Sequence, residues 1–136
     1  MAGYSKKSLV EKLGIKPGFQ ILILNPPEQY NLILGALPPD VNNHPSSGIP
    51  LNFIHFFSKN LAELNQEFPG LKKRLRPDGM LWISWPKGSS GMKTDLNENL
   101  IREIGLKNGL VDVKISAIDE NWSALKFVYR IVDRKV

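Results

Sequence analysis

The sequence predicts a three-layer α/β domain with a mostly parallel sheet and a C-terminal antiparallel hairpin. Three observations carry this expectation. Short apolar runs without alternation recur at 19–24, 51–57 and 80–85. Segments with helical spacing of their apolar residues separate those runs. Period-two alternation is confined to the last third of the chain. Unbroken apolar runs belong to strands covered on both faces, and alternating ones to strands with one wet face.

The elements follow in order. Ser8 and Glu11 stand at capping-box spacing, with Ser5 as an alternative cap. Leu9, Val10 and Leu13 then give a short helix one apolar face, and Gly14 stops it. The turn Lys16-Pro17-Gly18 leads into the strand Phe19–Leu24. Asn25-Pro26-Pro27 ends that strand, because two prolines cannot feed a sheet ladder. A helix is expected over Glu28–Leu37, closed by Pro38-Pro39. Residues 40–50 read as a loop with a short strand around Val41, and Leu51–Phe57 as a second buried strand.

Asn60 and Glu63 cap a third helix, whose Leu61, Leu64, Phe68, Leu71 and Leu75 share one face. Pro69 interrupts that face without shifting its phase, which predicts a kinked helix or two stacked pieces. Arg76–Gly79 is a turn, Met80–Trp85 a third buried strand, and Pro86–Lys93 a loop rich in glycine and serine. Asp95 and Glu98 mark the cap of a fourth helix that ends at Asn108-Gly109, with Leu96, Leu100, Ile101 and Ile104 turned inward. Val111, Val113, Ile115 and Ala117 alternate with Asp112, Lys114 and Ser116. Leu125, Phe127, Tyr129 and Ile131 alternate in the same way, and Asp119–Ser123 joins the two as a hairpin loop. All of 1–136 reads as one domain of ordinary size.

Composition narrows the function classes. The chain has no cysteine, which removes disulfides, thiolate nucleophiles and cysteine-rich zinc sites. No apolar run is long enough to span a bilayer, and no apolar stretch follows Lys6 and Lys7 as a secretion signal requires. A cytoplasmic protein without membrane contact is expected. His44 and His55 are the only histidines, and neither has a second ligand at metal spacing. No metal site is expected. The net charge is +5, and the densest basic cluster is Lys72, Lys73, Arg74 and Arg76. Such a patch attracts phosphates or nucleic acid, or forms the solvated C-terminal end of a helix.

The stretch Leu75-Arg76-Pro77-Asp78-Gly79-Met80-Leu81-Trp82-Ile83-Ser84 resembles the segment before and along the fifth strand of class I S-adenosylmethionine-dependent methyltransferases. Lys16-Pro17-Gly18 resembles their lead-in to strand one, and their sheet also ends in a hairpin that inserts one antiparallel strand. The resemblance implies a Rossmann-like, methyltransferase-like fold in reduced form. A second likeness is to a family of small, uncharacterised bacterial proteins, a domain of unknown function. It rests on Trp85-Pro86-Lys87, Thr94-Asp95-Leu96, Gly109-Leu110-Val111-Asp112 and the Asp119, Glu120, Trp122 and Ser123 tip. That likeness implies no activity.

The methyltransferase pattern departs where the cofactor would bind. The family follows strand one with a glycine-rich turn, so that backbone can approach the cofactor without a Cβ in the way. Here the turn reads Asn25-Pro26-Pro27-Glu28-Gln29-Tyr30, with no glycine and two missing N–H donors. The stretch before Leu51 is also too short to supply the family's acidic residue at the end of strand two. No cofactor is therefore expected. Asn25-Pro26-Pro27 resembles the amine-binding motif of DNA amino-methyltransferases, but Glu28 and Gln29 separate Tyr30 from the prolines. A strand-end turn is the better reading.

The preferred site is the loop after the third buried strand, where open α/β sheets place ligands. Lys87, Ser89 and Ser90 offer a cation, two hydroxyls and flexible backbone N–H groups, which together suit an anion. Trp85, Asn25 and Glu28 complete the expected ligand-binding set, with Trp122 as a wall. The leading reading is a non-catalytic domain that binds a protein partner or small anionic ligand at the strand ends. The alternatives are a methyltransferase with an atypical pocket and weak nucleic-acid binding through the Lys72–Arg76 patch.

Overall fold

The structure is a computed structural model and describes residues 7–134. Ser5 and Lys6 lie outside the described residues. The elements are α1 (Leu9–Leu13), β1 (Gln20–Leu24), α2 (Tyr30–Leu34), β2 (Asn42–Asn43), β3 (Leu51–Phe57), α3 (Leu61–Arg74), β4 (Leu75–Pro86), α4 (Glu98–Lys107), β5 (Leu110–Ala117) and β6 (Trp122–Tyr129). Short 3-10 turns cover Gly88–Ser90 and Ile131–Asp133. The six strands form one sheet in the order β2-β1-β3-β4-β6-β5. The first four are parallel, and β6 inserts antiparallel between β4 and β5.

Each face of the sheet carries its own apolar core, which makes three layers. Leu22, Ile54, Phe56, Leu81, Ile83, Leu125 and Phe127 pack beneath α3 and α4. Ile21, Ile23, Phe53, Phe57, Trp82 and Trp122 pack on the opposite side with α1 and α2. Adjacent residues of β1, β3 and β4 thus enter different cores, so these strands are apolar without alternating. The edge strand β5 carries the exposed Val113 and Ile115.

Local chemistry fixes the ends of the elements. The Ser8 side chain accepts from the Glu11 backbone and Glu11 reaches back, so the capping box that opens α1 is formed. Gly14 ends α1 with φ 89°, a left-handed conformation that glycine adopts without penalty. Asn60 caps α3 by accepting from the Glu63 N–H at 3.0 Å. Pro69 sits inside one continuous α3, which excludes two separate pieces. Arg76–Gly79 leaves the ladder as an excursion within β4, since Leu51 pairs Leu75 and Phe53 pairs Met80.

Several sequence expectations shift. The helix expected over Glu28–Leu37 is only the five residues of α2, because Gly35 breaks it before Pro38. Asn97, not Asp95, caps α4, and Asp95 instead accepts from the Leu61 N–H at the start of α3. Leu96 is buried ahead of α4, while Leu100 is only half-buried. The hairpin strand begins at Trp122, and Ile131 lies beyond it in an exposed 3-10 turn. A bulge at Val113, where Asp112 pairs Phe127 and Lys114 pairs Lys126, reverses the alternation of β5. It brings Asp112 beneath α4, where Arg102 Nε donates to it at 2.9 Å. No helix among the described residues is long and apolar enough to cross a membrane.

Candidate functional site

The chain leaves β1, pairs β2 on one side of it, and returns as β3 on the other. The carboxyl ends of β1 and β3 therefore flank a topological switch point, where open α/β sheets hold ligands. A cavity of about 570 Å³ opens there, between the strand ends and the first turns of α3. Leu24 and Phe56 form its apolar floor. Asn25, Asn60, Gln66, Glu63 and Glu67 supply its polar wall. A smaller cavity of about 350 Å³ adjoins it through the shared Asn60 and carries Lys59, Lys93, Thr94 and Asp95.

The polar wall is held in place from several elements. Asn25 has φ 57°, and its amide donates to the Phe57 carbonyl at 3.4 Å, which ties the exit of β1 to the end of β3. Ser58 donates to Glu63 Oε1 at 2.7 Å and accepts from the Asn60 N–H at 3.2 Å. Thr94 donates to the Lys59 carbonyl at 2.8 Å, which anchors the loop before α4 to the loop before α3. Asn60 and Asp95 already occupy the N–H groups of Glu63 and Leu61. The start of α3 thus offers an incoming anion few free donors.

The other face of the sheet end is filled. Tyr30 and Trp122 are buried there, and both meet the Phe57 ring edge-on, at 5.0 and 5.2 Å between centroids. Gln29 Nε2 donates to Asp119 at 3.4 Å, linking the start of α2 to the hairpin tip. Asp119 Oδ1 accepts from the N–H groups of both Asn121 and Trp122 at 2.8 Å, which fixes the tip. Side chains therefore plug the space on this face between the exit of β1 and the exit of β4.

Beneath α2 runs a buried polar chain that sequence reasoning did not assemble. The Tyr30 hydroxyl lies 2.8 Å from His55 Nδ1, and His55 Nε2 lies 2.6 Å from Ser84 Oγ. Burial pushes the His55 pKa down to about 3, so the ring is neutral. A neutral imidazole needs one donor and one acceptor partner, and the two hydroxyls can supply both. The connectivity imitates a nucleophile–base–orienter relay, but His55 and Ser84 are both fully buried. No substrate reaches them, and the chain satisfies polar groups inside the core. Tyr30 and Ser84 sit in unrelated sequence contexts, so no spacing rule joins them to His55.

The expected site residues are dispersed. Asn25 alone lines the larger cavity, and Glu28 is exposed outside both. Trp85 is spent on the core beneath α3 and α4, and Trp122 on the opposite core. The Lys87 N–H donates to the Asn121 carbonyl at 2.8 Å, so the loop is tied to the hairpin tip. Ser90 Oγ accepts from the Met92 N–H at 3.1 Å, and Ser89 is exposed. The basic patch also divides. Lys72 lies 5.6 Å from the Tyr129 ring centroid and Arg76 pairs with Asp78 at 2.9 Å, while Lys73, Arg74 and Arg76 line a cavity beside the loop before β3. Among the described residues no three His, Asp or Glu side chains gather as metal ligands.

Known structures match this architecture over most of its length. A S-adenosylmethionine-dependent methyltransferase from Aquifex aeolicus superposes with a TM-score of 0.61 at 13% identity, over 88% of this chain and 86% of that one. The fold is that of the class I S-adenosylmethionine-dependent methyltransferases. Two further matches carry bound S-adenosylhomocysteine. DhpI gives a TM-score of 0.63 at 9% identity, covering 91% of this chain and 83% of its own. Magnesium protoporphyrin IX methyltransferase from Synechocystis gives 0.55 at 14% identity, covering 90% and 78%. No family model and no curated protein matches the chain. At these identities the likeness speaks for the methyltransferase-like fold.

Proposed function

We propose that the chain is a non-catalytic, methyltransferase-like binding module that uses the cleft between β1, β3 and α3. The observation that carries this reading is the exit from β1. Pro26 and Pro27 offer no N–H groups, and Tyr30, whose N–H donates to the Pro27 carbonyl at 3.0 Å, is buried in the core. A cofactor cradle of the family's kind needs close backbone approach and a helix N-terminus facing the ligand. Here α2 has five residues, and its first residue, Tyr30, is locked to His55 and Phe57. Strand β2 is two residues long and is followed by His44, not by an acidic residue.

The cleft itself supports ligand binding without chemistry. Glu63 and Glu67 stand on one side of Asn60, with Lys59 and Lys93 on the other. This arrangement suits a small polar ligand or partner side chain whose amine or amide meets the carboxylates. An anionic group would meet the two lysines. Calorimetric titration with S-adenosylmethionine tests the reading. The expected result is no heat of binding at micromolar concentration, and saturable binding there would restore the methyltransferase alternative. Amide chemical shifts of Asn60 and Glu63, followed during titration with simple amines and carboxylates, should move while those of α4 stay fixed.

A further inference from the structure

The opposite end of the sheet holds a second cavity, of about 480 Å³, formed where the loop before β3 faces the junction of α3 and β4. Ser47, Gly48, Ile49 and Pro50 make one wall, and Lys73, Arg74 and Arg76 bring three cations to the other. No carboxylate lines it. Arg76 is engaged with Asp78, and Lys73 is exposed and unpaired among the described residues. Arg74 is the unusual member. Its Nε and Nη2 are shut off from solvent and meet no hydrogen-bond acceptor among the described residues.

Those two atoms form one edge of the guanidinium, with parallel N–H bonds. That edge matches two oxygens of a phosphate or carboxylate group. A charged edge held away from bulk water is costly unless an acceptor is brought to it. Binding through this edge requires rotation about the terminal side-chain bonds to bring it into the cavity, which Ser47 and Lys73 also line.

We propose that this cavity is an anion site that takes the phosphoryl group of a small phosphate-bearing molecule, with Arg74 as its bidentate ligand. A volume of this size suits a small molecule. The apolar walls from Ile49, Pro50, Leu75 and Pro77 suit the body of such a molecule. A nucleic-acid polymer fits less well. Lys72, the neighbouring cation, turns away to Tyr129, and no aromatic lines the cavity to stack a base. The site lies at the amino ends of the strands and is independent of the cleft at their carboxyl ends.

The test is a thermal melt with inorganic pyrophosphate, compared with sodium chloride at matched ionic strength. Pyrophosphate should raise the Tm of the unaltered chain in a saturable way, because a ligand that binds only the folded state stabilises it. Arg74→Met keeps the stem, removes the edge and should abolish the shift. If that variant does not fold, Arg74→Lys retains the charge without the paired edge and should bind about tenfold more weakly. Lys72→Gln should respond like the unaltered chain. A Tm indifferent to pyrophosphate overturns the proposal, as does an undiminished shift in either folded Arg74 variant. An equal loss in Lys72→Gln, or tight oligonucleotide binding without a pyrophosphate response, replaces the site with a diffuse polyanion surface.

Discussion

Acid should destabilise this protein through His55. In the folded chain burial lowers the His55 pKa from 6.5 to about 3, whereas in the unfolded chain the ring returns to its ordinary value. The unfolded state therefore binds the extra proton between those limits. The stabilising effect of the neutral ring is complete above the unfolded value and is lost as pH falls toward the folded one. Each pH unit inside that window costs about 1.4 kcal/mol, so lowering the pH from 7 to 5 removes about 2 kcal/mol. That is a large share of the stability of a domain of this size. Urea unfolding at several pH values measures it, with fluorescence of the buried Trp82, Trp85 and Trp122 as the signal. His55→Gln should lower stability at pH 7 yet flatten the slope between pH 7 and 5. An unaltered chain with no slope in that window, or a variant with the same slope, would refute the assignment of a buried neutral imidazole.

Three further outcomes follow from packing and charge. Tyr30→Phe removes the hydroxyl that meets His55 Nδ1 and should cost about 1–3 kcal/mol, the usual penalty for a buried group left unpaired. Equal urea midpoints for both proteins would show that the bond contributes nothing. Gly105→Ala places a Cβ 2.0 Å from Phe127 Cε1, so α4 must lift from the sheet. A loss of about 1–3 kcal/mol is expected, with perturbed methyl resonances of Ile101 and Ile104. Lys114 and Lys126 face each other across β5 and β6, and Lys126 has a lowered pKa from burial first and then from Lys114 and Lys16. Lys114→Glu should relieve the repulsion and stabilise the chain by about 0.2–1 kcal/mol at low salt, and less as salt is added.

The sheet was legible because each strand writes its environment into its sequence. The apolar runs of β1, β3 and β4 name strands between two helical layers, and the alternation of β6 names a strand near the edge. Alternation misled at β5, where the Val113 bulge turns Asp112 toward Arg102. No single-strand period reports such an insertion. The extent of α2 was over-read because Gly35 acts one turn before the proline pair that marked its end in the sequence.

The site was less legible. Asn25 lines the cleft at the switch point, but that cleft also draws Glu63, Gln66 and Glu67 from the solvent-facing side of an amphipathic helix. In sequence those residues read as ordinary surface. Trp85 is expected in the ligand-binding set and Trp122 as its wall, yet each is covered by its own core. The arginine with the unpaired edge lay inside a basic run, where composition cannot separate Arg74 from Lys72.

The proposed non-catalytic reading rests on the exit from β1, where Pro26 and Pro27 lack N–H groups and the Tyr30 hydroxyl lies 2.8 Å from His55. Crystals grown with S-adenosylhomocysteine in excess test it most directly. The account predicts density for Pro26, Pro27 and Tyr30 in place and none for the nucleoside. Ordered adenosine lying against Asn25–Pro27, with Tyr30 displaced from His55, would contradict it.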